Sequence, residues 1–132
     1  MRYLLDTNIL IAMSKERPGL VNRLQNCPAG AILLSSVVLA EIEYGIAKSI
    51  RQEQNRRVYA AIIHGFQVVS FDTEAARQYG PLRANLEKRG LFIGPNDLMI
   101  AAQARALNAV LVTDNIGEFS RVEEIRVENW LV

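Results

Sequence analysis

Short apolar runs alternate along the chain with longer segments whose apolar positions recur at helical spacing. The apolar runs predict buried strands at residues 4–5 and 31–34, further strands at 67–69 and 109–112, and an edge strand within residues 125–132. The segments between them predict helices at residues 7–13, 18–25, 36–49, 51–64, 73–89 and 97–107. Short buried strands that alternate with helices are typical of a parallel sheet covered on both faces. We therefore predict an α/β fold in which residues 1–132 form a single domain.

Polar residues and glycines mark several of the predicted helix ends. Ser35 or Ser36 and Asp72 are suitable N-caps, because their side-chain oxygens can accept hydrogen bonds from free backbone N–H groups. Residues 94–96 are predicted to form a loop whose last residue, Asn96, caps the following helix. The expected C-terminal signals are Gly65, Gly90 and Asn108, and residues 28–30 are predicted to form a turn.

Four acidic residues lie at the boundaries of these apolar segments. Asp6 and Asp114 follow predicted strands, whereas Glu41 and Asp97 lie early in predicted helices. In open parallel sheets, ligands collect outside the carboxyl ends of the strands. We therefore expect the four side chains to converge on that edge of the sheet.

A group of buried acids indicates a metal site. Buried carboxylates are costly unless they are paired or bound to a metal, and no comparable set of bases accompanies these four. Oxygen ligands suit hard cations, so Mg²⁺ fits best and Mn²⁺ can substitute for it. Such a site can orient a water and stabilise charge on a phosphate, which favours hydrolysis of a phosphodiester.

The four acids are expected to have different roles at the metal site. Asp6 and Asp97 are the first choices as direct metal ligands, and Glu41 either ligates the metal or acts as a base toward the attacking water. Asp114 completes the cluster or holds a second ion. The polar neighbours that are expected to orient these acids are Thr7, Asn8, Thr113 and Asn115.

Each acid also has an ordinary structural interpretation. Asp6 can cap the helix that begins at Thr7, and Glu41 can pair with Lys48. Asp97 can be a favourable charge at a helix N-terminus, and Asp114 can form a turn with Asn115. A shared site is preferred because it accounts for all four at once.

Composition excludes several other classes of protein. Half of the 132 residues are hydrophobic and 22% are charged, as in an ordinary globular protein, and no apolar stretch approaches the roughly 20 residues that cross a membrane. The single cysteine, Cys27, cannot form an intrachain disulfide, which favours a cytoplasmic location. The single histidine, His64, excludes a mechanism with a histidine acid and a histidine base in one chain.

Basic residues are clustered although the net charge is only +1. One cluster comprises Lys48, Arg51, Arg56 and Arg57, and the other comprises Arg77, Arg83, Lys88 and Arg89. Each cluster can be a solvated helix face. If the acids hold a metal, the same clusters become candidates for contacts with phosphates beside it.

Four segments together carry a family resemblance. Residues 4–10, 35–45, 93–102 and 112–119, which contain the four acids, resemble in order the four motifs of PIN-domain ribonucleases. The chain most resembles the VapC-type toxins of bacterial type II toxin–antitoxin pairs. The resemblance implies a PIN-like three-layer sandwich, a central parallel sheet with helices on both faces. It also implies a Mg²⁺-dependent endoribonuclease that cuts structured RNA, commonly tRNA, and inhibits translation. By position, Asp6, Glu41 and Asp97 are its core acids and Asp114 is the fourth.

The same resemblance implies protein partners. These are a second copy of the chain in a homodimer and a cognate antitoxin whose C-terminal segment blocks the acidic site, with a higher assembly in the complex. Ile9, Ile11, Ala12 and Met13 are candidates for the antitoxin groove, although each can instead pack in the core. Two rival functions stay open: a catalytically silent RNA-binding module and a receiver-type signalling domain. A receiver-type domain would require paired acids after the first strand, whereas here Asp6 is followed by Thr7 and Asn8.

Overall fold

A sheet of parallel strands forms the centre of the computed structural model, which describes residues 1–28 and 30–131. The strands are β1 (Tyr3–Leu5), β2 (Ile32–Ser35), β3 (Gln67–Val69), β4 (Val110–Val112) and β5 (Arg126–Glu128), in the order β3-β2-β1-β4-β5. In the central strand, Leu5 lies beside Leu34 on one side and Val112 on the other. The carboxyl ends of β1, β2 and β4 are therefore level with one another.

Helices connect the strands and cover both faces of the sheet. They are α1 (Thr7–Ser14), α2 (Pro18–Gln25), α3 (Ser36–Ala47), α4 (Gln52–His64), α5 (Thr73–Lys88), α6 (Pro95–Leu107) and α7 (Ile116–Phe119). Among residues 1–28 and 30–131, none of these helices has the length and apolar character to span a membrane. The predicted α/β fold, with a parallel sheet between two layers of helices, is confirmed.

Capping residues in the sequence correctly predicted several of the helix boundaries. Ser35 caps α3 by accepting a hydrogen bond from the backbone N–H of Val37 at 3.0 Å, and Asp72 caps α5 through Ala75 at the same distance. Asn108 ends α6 in the left-handed conformation, with φ of 51°. These caps act within a few residues of the chain, so the sequence alone identifies them.

Some predicted boundaries are wrong. Helix α6 begins at Pro95 with Gly94 as its N-cap, so Asn96 lies inside the first turn and caps nothing. Proline suits the first helical position, because its φ is fixed there and its missing N–H would have no partner. Helix α3 ends at Ala47, and the short helix α7 was not predicted. The final strand covers only Arg126–Glu128 of the predicted segment.

Two residues of predicted elements, Ala29 of the turn at 28–30 and Val132 of the final strand, lie outside the described residues.

The core lies against the central strands. Leu4, Leu5, Leu33, Leu34, Leu111 and Val112 are at most 2% exposed, and Ile9, Ile100 and Phe119 pack against them with no exposure. Gln103 is a buried polar residue whose side-chain amide donates to the carbonyls of Val69 and Ser70 at 3.2 and 3.0 Å. That contact ties α6 to the end of β3. The result is a fixed platform whose carboxyl edge carries the polar residues.

Leu111→Ala is expected to lower the free energy of unfolding by about 2–5 kcal/mol, because it leaves a cavity in the middle of the core. The matched control is Val68→Ala on β3, where the side chain is 39% exposed, and it should cost less than about 1 kcal/mol. Urea denaturation of both variants and the wild type measures the difference. Equal losses for the two variants would contradict this account of the core.

Candidate active site

Asp6 stands at the end of the central strand and is held by contacts from two sides. Its Oδ1 accepts a hydrogen bond from the backbone N–H of Thr7 at 2.8 Å, which caps α1. Its Oδ2 accepts from the hydroxyl of Thr113 at 2.7 Å, just beyond β4. The residue is only 4% exposed. Asp6 is thus both the predicted helix cap and a buried carboxylate at the predicted edge of the sheet.

Glu41 reaches the same edge from the second turn of α3. Its Oε1 accepts a hydrogen bond from the hydroxyl of Thr7 at 3.0 Å. Thr7 therefore connects two acids, through its backbone to Asp6 and through its side chain to Glu41. Lys48, the alternative partner expected for Glu41, instead lies over the ring of Tyr44 at 4.7 Å.

Asp97 lies in the first turn of α6, and the negative charges of the other acids act on its carboxyl group. Burial is the largest cause that raises its pKa to about 7, and the negative charges of Asp6, Glu118 and Glu41 raise it further. A carboxyl group whose neighbours all carry the same charge resists ionisation. Asp97 is therefore the best indicator that acids from separate segments converge.

The pKa values of the neighbouring acids shift in the same direction. Burial raises the pKa of Asp6, and the hydrogen bonds from Thr113 and Thr7 offset part of that rise. Burial also raises the pKa of Glu41, where the hydrogen bond from Thr7 opposes the effect of the charge on Asp6. The site thus concentrates negative charge in a partly desolvated place, which favours a bound cation.

Glu118, on α7, belongs to this cluster although it was not singled out from the sequence. Its Oε2 accepts from the side-chain amide of Asn115 at 2.7 Å, and its Oε1 accepts from the backbone N–H of Gly94 at 3.1 Å. The sequence signal that indicates Glu118 is its place within residues 112–119, the segment that resembles the fourth family motif. Its position is set by α7, which has only four residues and was not predicted.

Asp114 lies at the periphery of the acidic cluster. The residue is exposed, and its Oδ1 accepts a hydrogen bond from the side-chain amide of Asn8 at 3.1 Å. Its negative charge still contributes to the raised pKa of Asp6. Asp114 therefore lies on the rim of the cluster, while Glu118 lies beside Asp97.

The polar residues predicted to orient the acids do contact them. The Thr113 hydroxyl donates to Asp6 and accepts from the backbone N–H of Asn115 at 3.0 Å. Thr7 contacts Asp6 and Glu41, and Asn115 holds Glu118 rather than Asp114. Asn8 reaches only the rim. The catalytic roles of all these residues stay predictions.

The donor set suits a hard divalent cation. In the described part of the chain, no three Asp, Glu, His or Cys side chains are grouped closely enough to hold a metal ion, so the acidic cluster is not preformed as a metal site. Its donors are carboxylate oxygens throughout, and a bound cation would relieve their mutual repulsion at Asp97. Carboxylate oxygens are the ligands that Mg²⁺ and Mn²⁺ prefer, so the residues present fit the predicted metal.

A cavity of about 350 Å³ between α1, α3 and α4 opens onto Glu41. Its apolar lining includes Ile11, Ile46, Val58 and Tyr59. Of the residues predicted for a groove, Ile11 lines this cavity, whereas Ile9 and Ala12 are buried in the core and Met13 packs against it. Helical geometry explains the split, because only one stripe of α1 faces away from the sheet.

Comparisons with known proteins agree with this geometry. The family model described as PIN domain matches residues 3–125. The chain is 42% identical to Ribonuclease VapC2 of Rickettsia felis and 37% identical to the tRNA(fMet)-specific endonuclease VapC of Salmonella typhimurium. Each of these two matches covers 98% of this chain and 98% of the relative. The crystal structure of VapBC2 from Rickettsia felis bound to a promoter DNA fragment superposes with a TM-score of 0.92 at 41% identity, covering 98% of this chain and 99% of that chain.

The class of protein is defined by a parallel sheet with an acidic carboxyl edge and by a family match over residues 3–125. The chain belongs to the PIN-domain family, within the group of VapC ribonucleases. The predicted family resemblance is confirmed.

Asp97→Asn is expected to stabilise the metal-free protein in a pH-dependent way. In the unfolded chain Asp97 ionises near 3.8, whereas in the folded protein it stays protonated up to about 7. The native state therefore binds more protons between these values, and the contribution of Asp97 to stability falls as pH rises through that window. In EDTA, the variant should melt a few degrees above the wild type at about pH 8 and together with it at about pH 4.

The matched control for this measurement is Asp114→Asn, because that carboxylate is exposed on the rim. It should change the melting temperature little at either pH. An Asp97→Asn variant that melts with the wild type at both pH values would show that Asp97 is not repelled by its neighbours.

Proposed function

We propose that this protein is a Mg²⁺-dependent endoribonuclease, the toxin of a toxin–antitoxin pair, which hydrolyses phosphodiester bonds in structured RNA. One observation carries the proposal: Asp97 is surrounded by the charges of Asp6, Glu118 and Glu41 at the carboxyl edge of the sheet. A relative of this chain is named for cleavage of tRNA(fMet). We therefore propose initiator tRNA as the substrate, and its loss would inhibit translation in the cytoplasm.

The chain's own residues would prepare the reacting groups. Asp6 is held by Thr7 and Thr113, so its oxygens keep a fixed direction at the end of β1. Glu41 is partly exposed, and the hydroxyl of Thr7 engages its Oε1, which leaves Oε2 available to accept a proton from the attacking water. Its raised pKa suits that role, since a base works best with a pKa nearer the working pH.

The metal-binding residues follow from the same arrangement. Mg²⁺, or Mn²⁺ in its place, would be held by Asp6 and Asp97 with Glu118 or Glu41, and would supply positive charge for the scissile phosphate and its attacking water. Asn115 and the backbone N–H of Gly94 each donate a hydrogen bond to Glu118 and would fix its carboxylate for this role. Asp114, bonded by Asn8, would complete the rim.

The proposed antitoxin would control access to this site. Structures of related chains are described as VapBC complexes, which supports a cognate protein partner. The apolar cavity that Ile11 and Tyr59 line ends at Thr7 and Glu41, so a C-terminal segment lying there would cover one of the acids. The homodimer and the larger assembly with the antitoxin stay predictions.

Purified, antitoxin-free protein is expected to cut an initiator tRNA transcript into discrete fragments in Mg²⁺ or Mn²⁺ and to leave it intact in EDTA. Asp6→Asn, Asp97→Asn and Glu118→Gln should each reduce the rate at least about 100-fold, because each removes a charged ligand from the centre of the cluster. Asp114→Asn is the matched control on the rim and should reduce it less than about tenfold. Gel analysis with total bacterial RNA in parallel reports other substrates.

Cleavage that persists in EDTA, or in both the Asp6 and Asp97 variants, would contradict the acidic-site mechanism. A folded, metal-binding protein that cuts neither the transcript nor any component of total RNA would favour the silent RNA-binding alternative.

Thr113→Val is expected to lower kcat about 10–100-fold with little change in KM, because it removes the hydroxyl that positions Asp6 and preserves the side-chain shape. Thr113→Ser keeps the hydroxyl and should restore most of the rate. Steady-state cleavage of the labelled tRNA measures both variants. A valine variant with the wild-type kcat would show that the hydrogen bond to Asp6 serves only the fold.

A further inference from the structure

A second cavity, of about 580 Å³, lies beside the acidic cluster. Its lining includes Arg83 on α5, Phe92 in the loop before α6, Gly117 on α7 and Arg121 just beyond it. Asn115 and Glu118 line it as well, so it is continuous with the acids. Its volume falls within the roughly 300–1,000 Å³ of ligand-binding pockets. The cavity can therefore hold a portion of whatever molecule is bound at the acids.

Phe92 lines this cavity, and hydrogen bonds hold the backbone of its loop in place. Its side chain is 85% exposed, whereas its neighbour Ile93 is 7% exposed and packs in the core. The guanidinium of Arg121 donates to the Phe92 carbonyl at 2.9 Å, and Arg89 donates to the carbonyl of Arg121. Two residues on, the N–H of Gly94 donates to Glu118. The aromatic ring thus stands free on a loop that is bonded directly to the acidic cluster.

The two arginines of the cavity, Arg83 and Arg121, suit a phosphate. Arg121 forms no ion pair within the described residues, since its contact is with a backbone carbonyl. Arg83 lies 3.5 Å from Glu87 and donates to the hydroxyl of Tyr79 at 3.0 Å, and it keeps about half of its side chain exposed. Positive charge beside the acids would offset their repulsion of a polyanion.

Both predicted basic clusters contain ion pairs. In the first cluster, Arg56 pairs with Glu43 and Arg57 lies 3.7 Å from Glu53. On α5, Arg77 pairs with Glu74, and Arg83 lies 3.5 Å from Glu87. The clusters differ in position, because Arg83 lines the cavity beside the acids. The cluster on α5 is therefore the better candidate for phosphate contacts.

We propose that Arg83, Phe92 and Arg121 form a subsite, the Phe92 subsite, that binds an unpaired nucleotide of the RNA next to the cleaved bond. The ring of Phe92 stacks on the base, and the two guanidinium groups contact the phosphate. Aromatic stacking and arginine contacts are the usual means by which proteins hold unpaired RNA bases. Because the cavity runs into Glu118, a nucleotide held there places its neighbouring phosphodiester at the acids. This inference rests on the proposed ribonuclease function and adds to it the residues that bind the RNA substrate beside the cleaved bond.

The test measures the affinity of an RNA probe in a catalytically inactive background. Full-length Asp97→Asn protein is titrated into fluorescein-labelled initiator tRNA transcript, with unlabelled total tRNA as competitor, and anisotropy gives the Kd. Phe92→Ala should weaken binding about tenfold, and Phe92→Leu should do nearly the same, because neither residue can stack. Phe92→Tyr should stay within about twofold of the background protein. Ile50→Ala, at a fully exposed apolar residue, is the matched control and should have no effect.

The phosphate contacts are tested by salt dependence. Arg83→Gln should weaken binding and reduce the slope of log Kd against log salt concentration by about one, because one phosphate contact is lost. Arg126→Gln is the matched control, since Arg126 is the first residue of β5 and therefore lies at the amino end of the strands, away from the carboxyl edge that carries the acids. It should leave the slope unchanged. Urea unfolding of each variant confirms that the fold is retained.

The outcomes separate this inference from the proposed function. Unchanged Kd in Phe92→Ala, together with cleavage that is abolished by Asp6→Asn, overturns the subsite alone. If the background protein binds no tRNA and the wild type cuts none, both proposals are overturned. If Phe92→Ala keeps its RNA affinity but loses self-association or binding to the antitoxin, the ring belongs to a protein interface and the subsite is overturned.

Discussion

Mutual repulsion among carboxylates is the constraint on which the functional part of this molecule depends. A parallel sheet brings the ends of β1, β2 and β4 level with one another, so residues that follow separate strands become neighbours. Asp6 and Thr113, which follow β1 and β4, are joined there by a hydrogen bond. Helices α3 and α6 add Glu41 and Asp97 to the same edge. The fold thus accepts an electrostatic cost at one edge, while the apolar core below it supplies stability.

That cost is limited by hydrogen bonds that hold Asp6, Glu41 and Glu118 without neutralising them. Threonine hydroxyls engage Asp6 and Glu41, and an amide and a backbone N–H engage Glu118. None of these donors carries a positive charge, so the cluster keeps its negative potential and its attraction for a cation. A lysine or arginine in the same positions would stabilise the acids and remove the reason to bind metal.

Arginines are instead placed beside the acids, where they serve a different purpose. Arg121 and Arg83 line the cavity that continues from Glu118, and neither contacts the central carboxylates. Adjacent regions of opposite charge let one surface bind a cation and a polyanion together. The loop that carries Phe92 links the two regions, because its backbone is bonded to Arg121 at one residue and to Glu118 two residues later.

The sequence by itself determined the strands, most of the helices and the caps at Ser35 and Asp72. It also determined that Asp6, Glu41 and Asp97 lie at the boundaries of these elements. These features depend on periodicity and on contacts within a few residues, so a local pattern is enough to predict them. Only the tertiary structure decided which side chains meet. The Asp6–Thr113 contact spans 107 residues of sequence and Glu118–Gly94 spans 24, and no local pattern encodes such distances. For the same reason the sequence indicated Asp114 as the fourth acid and did not indicate Glu118, whereas in the structure Glu118 lies beside Asp97 and Asp114 is exposed on the rim.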